Sequence, residues 1–165
     1  MTMAECAIAL GSNLGDSLDI LEKTLKILDQ SPEITVKSCS HWYRTIAIGP
    51  PQPDYLNGCA ILKTNLVPEK LLQTLLKIEQ QFGRIRREKW GPRTLDLDLL
   101  LYEDLILNTD NLQIPHPPMT GRAFVLVPLA EIAPNWIHPV TQKAIIQLLD
   151  GVDCSGVSLY QTSEN

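Results

Sequence analysis

The sequence predicts an α+β fold: a ferredoxin-like βαββαβ core with an antiparallel sheet, plus extra C-terminal helices. The main observation is that strand-like apolar runs and amphipathic helical periods follow one another in the order β-α-β-β-α-β. The second is size, since 165 residues with 44% hydrophobic residues suit one domain with a substantial core. We therefore expect a single domain over residues 1–165.

The first half of the core follows from alternating apolar patterns and turn signals. Glu5–Leu10 is a short apolar strand, and Ile34–Arg44 is a β-branched and aromatic one. Between them, Asp16 or Ser17 caps an amphipathic helix that stops at Ser31-Pro32. The apolar face of that helix consists of Leu18, Leu21, Leu25 and Leu28.

The second half of the core repeats this pattern after a loop at Ile46–Asp54. Tyr55–Leu62 and Thr94–Tyr102 have the composition of strands. Pro68 opens the helix between them and Gly83 ends it. Leu71, Leu75, Ile78 and Phe82 form its apolar face.

The C-terminal third is predicted to add two helices to the core. Leu105–Leu107 can form a short pairing segment, Phe124–Ile132 is helical, and Thr141–Leu149 is a final helix capped by Thr141. The polar tail of residues 153–165 is expected to be loosely ordered.

Composition and charge exclude several classes of function. The net charge of −5 argues against a general binder of nucleic acid or anionic membranes. The longest apolar run, Ala123–Ala130, is far shorter than the ~20 residues of a membrane span. The N-terminus carries Glu5 where a secretory signal needs lysines, so no export signal is expected. The four cysteines form no C-x-x-C pair, which argues against a metal or redox motif. We therefore expect a cytoplasmic protein with reduced cysteines.

The sharpest local feature is the segment from Trp90 to Asp98, which reads W-G-P-R-T-L-D-L-D. Alternate residues of a strand leave the same face, so Asp96 and Asp98 point together while the leucines between them face the core. Two converging carboxylates suit Mg²⁺, which one or two carboxylates hold together with substrate phosphates. The alternative is the polar face of an ordinary half-exposed strand.

A basic cluster precedes the two aspartates. Five basic residues fall within ten positions of an acidic protein: Arg84, Arg86, Arg87, Lys89 and Arg93. A guanidinium group can donate two parallel hydrogen bonds to two phosphate oxygens. This cluster therefore indicates a polyphosphate ligand. A solvated charged loop and a nucleic-acid arm are the alternatives. Trp90 would be the apolar cap of a loop that closes over substrate.

A few further residues suit a flat heterocyclic ligand. Tyr55 and Asn57 form another same-face strand pair, with one aromatic ring and one amide that both donates and accepts. Phe124 could be a second aromatic wall, and His116 lies in a rigid Pro-rich loop. The alternatives are packing and turn roles. The phosphate motifs G-x-x-x-x-G-K-[ST] and G-x-G-x-x-G are absent, so metals and arginines would have to hold any nucleotide.

Taken together, these motifs resemble the 6-hydroxymethyl-7,8-dihydropterin pyrophosphokinase family. The signature is Gly-Pro-Arg-x-x-Asp-x-Asp, and the resemblance extends over roughly residues 6–139. The other matching pieces, in the family's order, are Ala9–Gly15, Tyr43–Thr45, Gln52–Asn57, Glu79, Gly83–Arg86, Ile114–His116 and Arg122–Phe124.

The resemblance implies an enzyme of folate biosynthesis that transfers the pyrophosphoryl group of ATP to 6-hydroxymethyl-7,8-dihydropterin and releases AMP. It implies two Mg²⁺ ions on Asp96 and Asp98, and charge stabilisation by Arg84 and Arg93. The implied pterin contacts are Thr45, Tyr55, Asn57, Trp90 and Phe124. The implied ATP contacts are Glu79, Arg84, Arg86, Leu99, His116 and Arg122. The expected partners are these two substrates, with no nucleic acid or membrane, and the expected state is a monomer.

The main alternative is a non-catalytic module that binds RNA or a ligand, because βαββαβ also describes the RNA-recognition motif. The aromatic strand signature of that motif is absent, and the net charge has the wrong sign for RNA. A relative that binds ATP and pterin without turnover is the third possibility.

Overall fold

The computed structural model describes residues 3–46, 51–83 and 94–161. Its strands, in chain order, are β1 (Ala4–Ser12), β2 (Ile34–Cys39), β3 (Tyr43–Thr45), β4 (Tyr55–Thr64), β5 (Asp96–Tyr102), β6 (Leu107–Asn108), β7 (Gln113–Ile114) and β8 (Val157–Leu159). Its α-helices are α1 (Ser17–Gln30), α2 (Pro68–Gln81), α3 (Ala123–Ile132) and α4 (Ile145–Asp150), and a 3₁₀ turn covers Pro117–Gly121.

The strands form one main antiparallel sheet in the order β5-β1-β4-β3-β8, and β2 also pairs with β4. The long pairing of β1 with β4 runs from Ala4 opposite Thr64 to Ser12 opposite Leu56. A separate two-stranded piece joins β6 to β7. The mixed α+β architecture confirms the predicted fold class.

Alternation along the central strand β1 separates two cores on opposite faces of the sheet. Cys6, Ile8 and Leu10 point to the face that α1 and α2 cover. Ala7 points to the other face, where α3 and α4 pack over Cys59 of β4. Among the described residues, α3 and α4 cover one end of the second face, and its other end is the floor of the cavity described below.

Helix boundaries agree with the capping signals in the first two helices. The Asp16 carboxylate accepts the N–H of Asp19 at 3.4 Å at the start of α1. Proline is tolerated in the first helical turn because an N–H at that position would have no partner within the helix. Pro68 begins α2 in this way. Ser31 caps the C-terminal end of α1, as its position before Pro32 predicts.

Two predicted elements differ from the structure. The single strand expected over Ile34–Arg44 is divided into β2 and β3, because the Ser40 hydroxyl accepts the N–H of Cys59 at 3.0 Å in place of a backbone carbonyl. The helix expected from Thr141 begins only at Ile145. A turn precedes it, in which Gln142 has a φ of 61° and the Nδ1 atom of His138 accepts two backbone N–H groups.

The C-terminal segment also differs from the loosely ordered tail expected beyond residue 153. Val157–Leu159 pairs with β3 as β8, and Ile46 donates its N–H to the carbonyl of Gly156 at 3.2 Å. The ring of Tyr160 lies 5.7 Å from the Arg44 guanidinium, a cation–π contact. The chain end therefore borders the strand that carries Thr45.

None of the helices in the described ranges is long and apolar enough to cross a membrane. All four cysteines are free thiols, two of them buried.

Candidate active site

A cavity of about 500 Å³ lies over the end of the second face of the sheet that α3 and α4 do not cover, between the floor strands and the start of α3. This size falls within the range of small-molecule sites. The residues that line it are Ala9, Leu10, Gly11, Thr45, Ile46, Tyr55, Asn57, Asp96, Asp98, Gly121, Arg122, Ala123, Phe124 and Val125.

Strand register assembles the floor from three strands. Gly11 of β1 lies opposite Asn57 of β4 on one side and opposite Asp96 of β5 on the other. Ala9, two residues earlier, is paired with Asp98. Neighbouring strands are about 4.8 Å apart, so the amide and the first carboxylate stand about 10 Å apart. Gly11 between them, with Ala9 next to it on the same face of β1, leaves room for a flat ligand.

Gly11 is required by this arrangement because the Asn57 side chain lies over it. A Cβ at position 11 would be 2.8 Å from Nδ2 of Asn57, which is closer than side chains approach. Asn57 is itself only 8% exposed. The glycine therefore allows the amide to reach the cavity.

Two polar atoms of the floor and its rim are buried without a partner. Among the residues that the structure describes, Oγ1 of Thr45 and Oδ1 of Asn57 are buried and make no hydrogen bond. Buried polar groups are paired in the great majority of cases, and each exception needs an explanation. Both residues line the cavity, so a ligand with complementary hydrogen-bonding groups would satisfy both atoms.

Aromatic side chains flank the same position. Tyr55 lies at the start of β4, and Phe124 lies in the first turn of α3. Asn13 holds the chain just before Tyr55, because its Nδ2 donates to Oε1 of Gln52 at 2.8 Å and to the carbonyl of Pro53 at 2.9 Å. Two aromatic rings on one cavity are suited to stacking on a planar heterocycle.

Asp96 and Asp98 leave the same face of β5 and both line the cavity, while Leu95, Leu97 and Leu99 are buried on the other face. Within the described ranges, no group of three or more His, Cys, Asp or Glu could hold a metal ion by itself. A pair of carboxylates alone suits Mg²⁺, which takes one or two carboxylates and completes its shell with waters and phosphates. The donor set thus fits a metal shared with a phosphate ligand.

His116 stands beside this pair. Its Nε2 lies 3.7 Å from Oδ1 of Asp98, which is too long for a hydrogen bond. Burial lowers the pKa of His116, Asp98 opposes this shift, and the nearby Arg122 adds to it. The imidazole is therefore neutral at pH 7. Arg122 in turn lies 5.5 Å from the ring of Phe124, so it links the aromatic wall to the acidic end.

The structure thus brings seven of the predicted side chains to one cavity: Thr45, Tyr55, Asn57, Asp96, Asp98, Arg122 and Phe124. Three others do not line it: His116, which stands beside Asp98, and also Leu99 and Glu79. Leu99 is packed in the core on the opposite face of the sheet. Glu79 is 3% exposed on α2 and accepts the N–H of Leu97 at 2.7 Å, so its carboxylate supports the edge strand β5.

Four predicted residues fall outside the described part of the chain: Arg84, Arg86, Trp90 and Arg93. Their roles stay predictions.

Sequence reasoning assigned no role to Ala9 and Gly11, although both belong to the floor. The signal was present in the segment Ala9–Gly15, where small residues end an otherwise apolar strand. That segment does not reveal the strand register that places β1 between β4 and β5.

Comparison with known proteins identifies the family of the chain. The family model 7,8-dihydro-6-hydroxymethylpterin-pyrophosphokinase (HPPK) matches residues 7–134. A 2-amino-4-hydroxy-6-hydroxymethyldihydropteridine pyrophosphokinase of Synechocystis sp. is 58% identical over 150 residues, covering 91% of this chain and 77% of that protein. The enzyme of the same name from Haemophilus influenzae is 44% identical, covering 85% of this chain and 88% of that protein.

Solved structures show the same fold. A Plasmodium falciparum HPPK-DHPS chain superposes with a TM-score of 0.74 at 15% identity, over 90% of this chain and 43% of that one. This chain spans less than half the length of the solved chains it matches. The match of the family model and the two bacterial relatives together confirm the resemblance of the sequence motifs. The chain belongs to the 7,8-dihydro-6-hydroxymethylpterin-pyrophosphokinase family.

Proposed function

We propose that this cavity carries out the reaction of its family, the transfer of the pyrophosphoryl group of ATP to 6-hydroxymethyl-7,8-dihydropterin in folate biosynthesis. One observation carries the assignment to this site. Two unpaired polar atoms and two carboxylates lie at opposite sides of a floor made of glycine and alanine. The family matches do not favour the non-catalytic alternative.

The pterin ring would lie over Gly11, between Tyr55 and Phe124. A pterin presents ring nitrogens, an amino group and a carbonyl along its edge, which match an amide that both donates and accepts. Asn57 and Thr45 would therefore bind that edge, and the buried atoms that lack partners support this placement. The hydroxymethyl arm would then extend along the floor toward Asp96.

ATP would occupy the acidic end, with its phosphates beside Asp96 and Asp98. The two carboxylates would hold two Mg²⁺ ions, which neutralise phosphate charge when bound. Arg122 lines the cavity and the neutral His116 lies 3.7 Å from Asp98, so both can contact phosphate or ribose oxygens beside these carboxylates. We retain Arg84 and Arg93 as charge-stabilising groups, Arg86 as an ATP contact and Trp90 as a pterin contact.

In this arrangement the hydroxymethyl oxygen attacks the β-phosphorus of ATP. The bond between that phosphorus and the oxygen bridging to the α-phosphorus breaks, AMP leaves with the bridging oxygen, and the hydroxyl proton passes to solvent. Transfer of this kind depends on positioning and on charge stabilisation more than on a strong base. The rigid floor supplies the positioning, because strand pairing fixes the spacing of Asn57 and Asp96.

The test is nucleotide product analysis after incubation with ATP, Mg²⁺ and 6-hydroxymethyl-7,8-dihydropterin. We expect AMP and the pterin diphosphate in equal amounts, both dependent on pterin and abolished by chelation of Mg²⁺. If ADP forms instead, the attack is on the γ-phosphorus of ATP and not on the β-phosphorus, which contradicts the proposed reaction. A folded protein that forms no pterin-dependent product would overturn the proposal.

We also propose that the chain acts as a cytoplasmic monomer, which its acidic, mixed-charge composition supports. Light scattering of the purified chain tests the monomeric state, and a stable dimer would contradict it.

A further inference from the structure

A carboxylate outside the cavity makes four hydrogen-bond contacts with the segment that joins β2 to β3. Oε1 of Glu131, at the end of α3, accepts the Tyr43 hydroxyl at 2.7 Å. Both of its oxygens lie 3.1 Å from the backbone N–H of His41, and Oε2 lies 2.7 Å from His41 Nδ1. None of these three residues lines the cavity.

The hydrogen bonds favour one protonation state of each partner, an ionised Glu131 and a protonated Tyr43. Burial by itself would raise the pKa of Glu131, but the bonds from Tyr43 and His41 outweigh burial and lower that pKa. Burial and the adjacent carboxylate raise the pKa of Tyr43 to about 12. At neutral pH, an ionised acceptor therefore faces a protonated donor, and charge-assisted bonds of this kind are the strong ones.

The contact joins the far ends of two elements whose near ends line the cavity. Glu131 follows Phe124 by seven residues, so both project from the same side of α3, about 10 Å apart along its axis. Tyr43 precedes Thr45 by two residues, so both leave the same face of β3, about 6.6 Å apart. Glu131 therefore contacts Tyr43 about two helical turns away from Phe124, and both Phe124 and Thr45 line the cavity.

Apolar packing alone leaves the position of α3 along the strand weakly determined. The buried face of α3, which includes Val125 and Leu129, fixes its distance from the sheet, but hydrophobic contact is non-directional. Pro128 also removes the helical hydrogen bond to the carbonyl of Phe124. Near the start of α3 the Cys59 thiol, a weak donor, bonds to the carbonyl of Val125 at 3.5 Å. The charge-assisted contact of Glu131 adds a stronger directional restraint at the other end of the helix.

We propose that Glu131 is a positioning residue for the aromatic wall, setting the register of α3 against β3 and so where Phe124 lies relative to Tyr55 across the slot between the two rings. This inference rests on the proposed function, because the slot is the one assigned to the pterin ring.

The test compares Glu131→Gln and Tyr43→Phe with a matched control, Asp29→Asn. Asp29 also accepts a backbone N–H, that of Val36 at 2.9 Å, but it lies on α1, away from the cavity. Glu131→Gln keeps the volume and removes one acceptor oxygen, and Tyr43→Phe removes one donor. The readouts are the KM values for pterin and ATP, kcat, and the Kd of the pterin measured by calorimetry with Mg²⁺ and a non-hydrolysable ATP analogue.

We expect Glu131→Gln to raise the KM and the Kd for pterin about tenfold, and Tyr43→Phe to raise them less. The KM for ATP and the properties of Asp29→Asn should stay within about twofold of the parent. Unchanged pterin binding in both variants would overturn the inference, and so would an equal loss of ATP affinity, which indicates a general structural role. If Glu131→Gln does not fold, Tyr43→Phe decides between these outcomes. A parent chain that binds no pterin would refute the proposed function itself.

Discussion

Replacement of Gly11 by alanine should damage pterin recognition while leaving the fold intact. The added Cβ would stand 2.8 Å from Nδ2 of Asn57, whereas ordinary contact needs about 3.5 Å. The amide must therefore move by about 0.7 Å. Only the free end of one side chain has to shift, so we expect a small change in stability. The atoms nearest the added Cβ belong to Asn57 and Leu56, and none belongs to Asp96.

The magnitude follows from the role of that amide. A misplacement of about 1 Å can reduce a reaction rate about 100-fold. We therefore expect kcat/KM for the pterin to fall about 10- to 100-fold, which is about 1.4–2.7 kcal/mol of transition-state stabilisation. The KM for ATP should change less than about threefold. Gly156→Ala is the control, because nothing lies within 4 Å of its added Cβ.

A double-mutant cycle decides whether Asn57 mediates the effect. In the background of Asn57→Ala, the Gly11→Ala substitution should cost almost nothing more, because the group it displaces is gone. The assay is steady-state formation of AMP at varied pterin and saturating ATP. If Gly11→Ala costs as much in the Asn57→Ala background as in the parent chain, the steric argument is refuted.

Three further outcomes are expected. Asp98→Asn should abolish AMP formation with an unchanged Tm, and retained turnover would remove Asp98 from the metal site. Gly58→Ala should lower the Tm by several degrees, because its Cβ would stand 2.5 Å from the Trp42 ring and overpacking costs about 1–3 kcal/mol. Gly121→Ala, with nothing within 4 Å of its Cβ, should lower the Tm by less than one degree, and equal losses would contradict the packing argument. Burial lowers the pKa of His138, so the unfolded chain binds its proton more readily, and stability should fall as the pH drops below about 6.5. A urea titration series from pH 5 to 8 measures this slope, and His138→Gln should reduce it, with the lowered pKa of His116 contributing the remainder.

Local patterns predicted most of the secondary structure because their causes are local. The period of the leucines in α1 and the proline that opens α2 act within a few residues, and both helices begin where these signals predict. The same-face geometry of Asp96 and Asp98 follows from the two-residue repeat of a strand and needs no knowledge of the fold.

Two differences between prediction and structure have non-local causes, whereas the later start of α4 follows from a local turn in which Gln142 has a φ of 61°. The Ser40 hydroxyl that divides β2 from β3 bonds to a residue 19 positions away. Val157–Leu159 of the tail form β8 because the edge of β3 offers backbone groups for pairing, and no periodicity within the tail signals this. The environment of Glu79 is likewise non-local, because the fold buries it against β5, where its carboxylate accepts the N–H of Leu97, 18 positions away. Its contact with ATP stays a prediction.

By itself, the sequence determined the fold class, the family and the chemical types of the site residues, because motifs and periodicity depend on neighbours along the chain. Tertiary structure alone decided which of these residues share a cavity. The pairing of β1 with both β4 and β5 places Gly11 between Asn57 and Asp96, residues that are far apart in sequence. It likewise brought Glu131 to Tyr43. Strand register and helix packing are set by burial over the whole chain, and no local pattern encodes the resulting distances.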